Sequence, residues 1–236
     1  MDKIRIIKEL EKYPVFNLNI FIKIINKKRE YARLSLYRLK KTKFIFELER
    51  NKYTVYKDPF IIASNMIWPS YISCWSALRY YNLTEQLPQK IFIMTTRTRK
   101  NYKLKFMDDE FIFIKIRPKY FFGYKKEIYL NFPIFIAEPE KAIIDSALFK
   151  KISFSEILDI IKIHKNELDF KLFIKYLLKI KNKTLIKRFG FLFDKLKIKN
   201  NLNKFINKKY IFLDYAGPKK GDKNKIWKII ENVRIQ

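Results

Sequence analysis

The 236-residue sequence contains one cysteine and one histidine, and each scarcity excludes a class of site. Because a disulfide needs two thiols, Cys74 cannot form one within the chain, which is consistent with a reducing cytoplasm. A structural zinc site uses four Cys or His ligands, so Cys74 and His164 together cannot build one. We therefore expect a cytoplasmic protein without a bound metal.

Glycine is also scarce, with four residues, and long apolar runs are missing from the sequence. A phosphate-binding loop needs closely spaced glycines so that the backbone can approach the phosphates, and this sequence has no such loop. A membrane-spanning helix needs about 20 apolar residues, and no run approaches that length. We expect neither a cofactor nor a membrane association.

Acidic residues are few relative to basic ones, with 23 Asp and Glu against 52 Lys and Arg and a net charge of +29. A surface with this charge attracts polyanions, of which nucleic acid is the usual one. Apolar residues make up 48% of the chain, which indicates a folded protein with a core. An AT-rich genome also produces chains rich in Lys, Asn and Ile, so the positions where basic residues cluster matter more than their total.

The first sixty residues have the pattern of three short helices followed by a β-hairpin. Apolar residues recur at helical spacing, and the third helix, at about 30–41, has an inner stripe of Ala32, Leu36 and Leu39. Two runs rich in β-branched and aromatic residues, FIFEL and KYTVY, then flank a charged turn. This order predicts a winged helix-turn-helix at residues 1–58.

Basic residues cluster on the outer face of the third helix and at the hairpin tip. In a winged helix the third helix enters the major groove of DNA, and the hairpin lies along the backbone. The predicted DNA-binding residues are Arg29, Arg33, Tyr37, Arg38, Lys40, Lys41, Arg50, Asn51 and Lys52. Two other interpretations stay open, a basic stripe that is only a solvated helix face and a winged helix that binds a protein.

The rest of the chain predicts a mixed domain, which makes the fold class α+β. Runs of strand character separated by short polar turns, with no long helix between them, indicate an antiparallel sheet. Helical periodicity follows, beginning with Ser153 and Glu156 at the spacing of a capping box. The expected order is a linker at 59–69 and a C-terminal domain at 70–236, with a sheet region at about 70–150, a helical region at about 151–209 and a terminal strand pair at about 210–232.

Acidic clusters occur in the segments MDDEF and EPEK, but neither has the pattern of a catalytic site. A metal-dependent nuclease needs an acidic residue followed by acid-x-Lys on adjacent strands, whereas Glu140 and Lys141 are immediate neighbours. His164 lies near a predicted helix end, where a cation is favourable. We therefore expect a protein that is not an enzyme, and a nuclease is the alternative.

A second basic cluster, TTRTRKNYK, contains Arg97, Arg99 and Lys100 beside Tyr102. Cations next to an aromatic ring suit a nucleic-acid backbone or an acidic protein surface. The alternative is an ordinary charged hairpin whose lysines and arginines prevent edge-to-edge strand pairing. Both interpretations of this cluster stay open.

Several segments occur in the order and approximate spacing of a known family. They are YISCWSALRYYNLTEQLPQKIFIMTTR, FFGY, AEPEKAIIDSAL, KRFGFLFDKL and YIFLDYAGPKKG followed by IWKIIENV. In this ordered set the chain resembles the AbiEi family, the antitoxins and transcriptional regulators of abortive-infection (type IV) toxin–antitoxin systems. The resemblance extends from the N-terminal helices nearly to the C-terminus.

The resemblance implies an antitoxin that is also an autorepressor in antiviral defence. The family's winged helix binds inverted repeats in its own promoter, and its C-terminal domain opposes an AbiEii-like nucleotidyltransferase toxin, usually without a stable complex. Dimerisation on the DNA would match the two repeats. DNA contact is carried over to Arg29, Arg33, Tyr37, Lys40, Arg50, Asn51 and Lys52, and a basic antitoxicity surface is compatible with Arg97, Arg99 and Lys100.

One feature departs from the family pattern, because the turn ERNKY lacks the glycine that family wings often have near the tip. Two alternative functions stay open beside the autorepressor. The first is an antitoxin that acts mainly by binding the toxin directly. The second is a nuclease of a defence operon.

Overall fold

The computed structural model describes residues 3–85 and 89–233 and shows an α+β fold. Within these stretches, no helix has both the length and the apolar content needed to cross a membrane. The chain divides into two compact units, each assembled from separate stretches. The first unit contains residues 3–72, 89–116 and 126–135, and the second contains residues 73–85, 117–125 and 136–233.

Three helices and a hairpin begin the first unit, where the sequence predicts them. They are α1 (Lys3–Leu10), α2 (Leu18–Ile25), α3 (Arg29–Lys41) and the antiparallel strands β1 (Phe46–Glu49) and β2 (Lys52–Thr54). Each helix turns one apolar side inward, so that together they enclose a small core. The buried residues of this core are Ile6, Leu10, Phe16, Leu18, Phe21, Ile25, Ala32, Leu36, Leu39 and Ile45.

Two asparagines hold the start of α2. The Oδ1 atom of Asn17 accepts a hydrogen bond from the N–H of Ile20 at 3.0 Å, as an N-cap residue does. Asn51, at the hairpin tip, accepts one from the N–H of Leu18, also at 3.0 Å. The backbone φ of Asn51 is 61°, a conformation that asparagine tolerates better than most residues. The tip of this hairpin therefore does not need a glycine. The hairpin is thereby tied to α2.

Six strands, whose residues belong mainly to the first unit, form one sheet. They are β3 (Ser70–Ser73), β4 (Lys90–Thr95), β5 (Lys103–Phe106), β6 (Asp109–Lys115), β7 (Tyr124–Tyr129) and β8 (Phe132–Ala137). Their order across the sheet is β5-β6-β4-β3-β8-β7. β4 and β6 pair in parallel, whereas β5 and β6 pair antiparallel.

The parallel pair corrects the expectation of an antiparallel sheet, because the sheet is mixed. β5 runs back along the outer side of the sheet, and β6 then inserts between β5 and β4. Two strands of the same direction thus become neighbours without a helix in the connection. Short polar turns in a sequence do not reveal which neighbour a returning strand will join.

The segment expected to be a linker, residues 59–69, instead contains a helix, α4 (Pro59–Asn65). Asp58 caps it by accepting hydrogen bonds from the N–H groups of Phe60 and Ile61 at 2.9 and 3.0 Å. Proline suits the first turn of a helix, since its missing N–H would have no partner there. Most of α4 is buried, so this segment is interior structure of the first unit.

The second unit is mainly helical. Its helices are α5 (Cys74–Tyr80), α6 (Pro139–Leu148), α7 (Phe154–Ile163), α8 (Phe170–Ile180) and α9 (Lys183–Lys195), and a short 3-10 turn follows at Leu202–Phe205. The predicted capping box is confirmed at the start of α7, where Ser153 and Glu156 bond each other's backbone N–H. The helices α7, α8 and α9 and the 3-10 turn lie in the region 151–209, which the sequence predicts to be helical.

The end of the chain forms three short strands, where the sequence predicts a pair. They are β9 (Ile211–Phe212), β10 (Asp222–Asn224) and β11 (Ile229–Glu231). β11 pairs in parallel with β9 and antiparallel with β10. Asp, Lys and Asn, the residues of β10, are uncommon in strands. A tight turn places them beside β11, and in this turn the N–H of Trp227 donates to Asn224 at 3.0 Å.

Candidate nucleic-acid interface

A groove of about 380 Å³ lies between α3 and the β1–β2 hairpin. It is lined by Leu18, Arg29, Arg33, Leu36, Tyr37, Lys40, Glu47, Arg50, Asn51 and Tyr53. Six of the nine residues predicted to contact DNA are in this set. With four cationic side chains and one carboxylate, the groove has a positive charge. The structure therefore brings cations from two separate elements to one surface.

The helical spacing of α3 puts its apolar and its cationic side chains on different faces. Ala32, Leu36 and Leu39 are buried against α1 and α2. Arg33 and Tyr37, one turn apart on the outer face, are both exposed, and Tyr37 is 59% accessible. The outer face of α3 is therefore open to a ligand.

One ion pair joins the two walls of the groove. The Nζ atom of Lys40 on α3 lies 2.6 Å from Oε2 of Glu47 on β1. The hydrogen bond to this carboxylate, together with its charge, raises the pKa of Lys40 above the usual value. Within the described residues, the other three cations of the groove, Arg29, Arg33 and Arg50, have no ion-pair partner.

Besides Lys40, two of the predicted DNA contacts have partners inside the protein. The amide oxygen of Asn51 is bonded to the backbone of α2, as described above. Lys52 donates to the carbonyl of Met66 at 2.6 Å and lies 2.9 Å from the carboxylate of Glu49. These contacts hold the hairpin in place, so Arg50 is the hairpin cation that faces solvent without a partner among the described residues.

Arg38 and Lys41 are exposed but do not line the groove. They lie on a second outer strip of α3 with Tyr31 and Leu34, at positions i, i+3, i+7 and i+10. Tyr31 is 54% exposed and Leu34 is 46% exposed, and sequence reasoning did not select either of them. Helical spacing could have identified both residues, because it places these two largely apolar side chains outside the buried stripe of α3.

The second basic cluster does not form a single cationic surface. Arg97 and Lys100 are exposed, but the side chain of Arg99 is only 7% accessible. Its guanidinium lies 2.5 Å from Glu49 and 3.8 Å from the ring centre of Phe113. The expectation for Arg99 is corrected accordingly, because this arginine neutralises a hairpin carboxylate and packs on an aromatic ring.

Two of the groups considered for catalysis, Glu140 and His164, take part in contacts within the protein. The carboxylate of Glu140 is mostly buried and accepts the N–H of Asp169 at 2.8 Å. Nδ1 of His164 lies 2.8 Å from Oε1 of Glu167 just beyond the end of α7. Both contacts are of the kind that stabilises the ends of helices.

The chain matches no model of a known protein family, and no curated protein matches it significantly. The functional interpretation of the groove therefore depends on its geometry and charge, together with the resemblance of the sequence segments described above.

Proposed function

We propose that the first unit binds duplex DNA as a winged helix, with α3 in the major groove and the β1–β2 hairpin beside the backbone. The observation that supports this proposal is the groove in which Arg29, Arg33 and Lys40 from α3 face Arg50 from the hairpin. A duplex offers base edges and phosphates side by side, which fits a helix and an adjacent ribbon that are both cationic.

In this arrangement the residues have different roles. Arg29 and Arg33 lie at the N-terminal half of α3, from which an arginine can bond both acceptors of a guanine in the major groove. Tyr31 and Leu34 supply apolar contact to thymine methyl groups. Arg50 at the hairpin tip pairs with a phosphate.

The chain is then a DNA-binding antitoxin and autorepressor, in which two copies bind the repeats of the operon's own promoter. Repression needs only occupancy of the promoter, so this function requires no catalytic group. The resemblance to AbiEi antitoxins supports the second role, in which the C-terminal part opposes an AbiEii-like nucleotidyltransferase toxin. The proposed winged helix is tested first, because it determines the repressor function.

Arg33→Ala is expected to reduce sequence preference more than general affinity. Loss of a bidentate base contact should lower discrimination by about 1–3 kcal/mol at one base pair. Arg50→Ala should instead weaken binding to all duplexes and reduce the slope of log affinity against log salt by about 0.9. The preferred sequence is selected from random duplexes, and affinities are then measured by fluorescence anisotropy at several salt concentrations.

The control is Arg79→Ala, which removes an exposed arginine from the second unit. This variant should bind like the parent chain. The proposed winged helix is wrong if Arg33→Ala and Arg79→Ala have equal effects. It is also wrong if the parent chain shows no preference among duplexes.

Glu47→Gln is expected to increase affinity for random duplex DNA. The change removes a carboxylate that repels phosphates and releases Lys40 for a phosphate contact. One additional contact makes the salt slope steeper by about 0.9, and affinity should rise about three- to tenfold at low salt. Glu167→Gln makes the same charge change in the second unit and should have little effect. Unchanged salt dependence in Glu47→Gln would show that phosphates do not approach this groove.

A further inference from the structure

Two lysines lie close to the ring of Tyr210 in the second unit. The ammonium groups of Lys223 and Lys228 are 5.7 and 5.6 Å from the centre of its ring. Tyr210 immediately precedes β9, and the two lysines lie on β10 and just before β11. All three elements belong to the three-stranded sheet, so the ring and both cations have a fixed support.

Two further lysines, Lys187 and Lys209, add positive charge near Lys228. Lys187 on α9 is 1% exposed and donates a hydrogen bond to the carbonyl of Lys209. Burial lowers the pKa of Lys187, and repulsion by Lys209 and Lys228 lowers it further. Like charges held this close destabilise the free protein, and a bound anion would relieve the repulsion.

The acidic residues of this region do not neutralise these lysines. Residues 195–233 contain eleven lysines and three acidic residues. Glu231 lies 3.6 Å from Lys195, and Asp214 is bonded to Ser155. In the part of the chain that the structure describes, none of the lysines 208, 209, 219, 220, 223, 225 and 228 forms an ion pair.

We propose that Tyr210 and the surrounding lysines form a binding surface for single-stranded nucleic acid. An unpaired base stacks on the Tyr210 ring and displaces one of the two lysine ammonium groups from it. The displaced ammonium group then pairs with a neighbouring phosphate. A duplex does not fit this role, because the faces of its bases are already stacked on each other. Lysines spread over a strand and the loops around it suit a chain of phosphates better than a single small anion.

The groove of the proposed duplex binding belongs to the first unit, and Tyr210 belongs to the second. The two proposals therefore predict opposite patterns of loss. Variants of Arg33 and Arg50 should lose duplex binding and keep single-strand binding. Variants of Tyr210 should do the reverse.

The test uses the full chain and fluorescently labelled 12-nucleotide oligo(dT) and oligo(U), with excess unlabelled duplex to occupy the first unit. Tyr210→Leu is expected to weaken binding of at least one oligonucleotide about tenfold, whereas Tyr210→Phe, which keeps the ring, stays close to the parent. The double variant Lys223→Gln/Lys228→Gln should reduce the salt slope by about 1.4. Lys171→Gln/Lys175→Gln makes the same charge change on α8 and should leave affinity nearly unchanged.

Stronger binding of oligo(U) or of oligo(dT) identifies the preferred oligonucleotide, and either result supports the proposal if it depends on Tyr210. Equal binding by Tyr210→Leu and the parent overturns it, because the surface would then be a general attractor of polyanions. Loss of single-strand binding in Arg33→Ala/Arg50→Ala also overturns it and assigns the binding to the first unit. The proposal is also overturned if polyglutamate or anionic lipid vesicles bind as tightly as the oligonucleotides and this binding depends on Tyr210. Circular dichroism and the thermal midpoint establish that each variant is folded.

Discussion

Lys141→Met is expected to lower the free energy of unfolding by about 3–5 kcal/mol, because it removes the ammonium group that neutralises a carboxylate in the interior. The side chains of Lys141 and Asp145 are 0% exposed and form an ion pair one turn apart on α6. The hydroxyl of Ser73 also donates to Asp145, at 2.9 Å. The neutral Ser73 hydroxyl does not replace the charge of the lost ammonium. Urea unfolding followed by circular dichroism measures the change.

An exposed ion pair between residues three positions apart supplies the control. Lys12→Met removes a partner of Glu9 at 2.8 Å on the surface and should cost less than about 1 kcal/mol. In the double variant Lys141→Met/Asp145→Asn no unpaired charge remains, so it should be less destabilised than the sum of the two single variants. If Lys141→Met costs no more than Lys12→Met, the buried pair does not contribute as proposed.

Gly190→Ala is expected to destabilise the second unit by about 1–3 kcal/mol, because an added methyl group overpacks its core. A Cβ at Gly190, within α9, would overlap the six-membered ring of Trp227. Trp227 is 3% exposed, and its indole N–H donates to Asp194 at 2.7 Å, so the ring cannot move away freely. The same change in an exposed helix would be stabilising by about 1 kcal/mol, so the two expectations differ in sign.

Trp227 is also in the turn between β10 and β11, which contains lysines of the proposed single-strand surface. Gly190→Ala should therefore change the near-ultraviolet circular dichroism and weaken single-strand binding along with stability. The double variant Gly190→Ala/Trp227→Leu tests whether the bulk of the Trp227 ring causes the destabilisation. It should lose less unfolding free energy than the sum of the losses in its two single variants. A Gly190→Ala protein more stable than the parent would show that the ring does not pack on α9.

The parts of the fold that the sequence predicts correctly depend on neighbours within about one helical turn. The buried and outer faces of α3 follow from spacing alone, as Leu36 and Arg33 show. The cap at Ser153 likewise involves a residue three positions further on. The winged-helix interpretation, which depends on these local patterns, stays a prediction, as do its DNA contacts.

Other features depend on partners that are distant along the chain. Asn51 bonds a residue 33 positions away, and Arg99 bonds Glu49 at a separation of 50. The sequence predicts Asn51 as a DNA contact and leaves Arg99 open between a nucleic-acid surface and an ordinary charged hairpin, because local spacing does not show partners this far along the chain. The strand order of the mixed sheet and the burial of α4 were missed for the same reason, since propensity and spacing do not specify the path of the chain.

From the chain's amino-acid pattern alone one obtains the helices, the hairpin, the positive charge and the cationic outer face of α3. The folded molecule adds which of these cations are available: Arg33 and Arg50 face solvent, whereas Lys52 and Arg99 are paired with Glu49. It also places Lys223 and Lys228 around Tyr210. The physical reason is range, because backbone conformation responds to adjacent residues, whereas the partner of a charged side chain is chosen among all groups that folding brings near it.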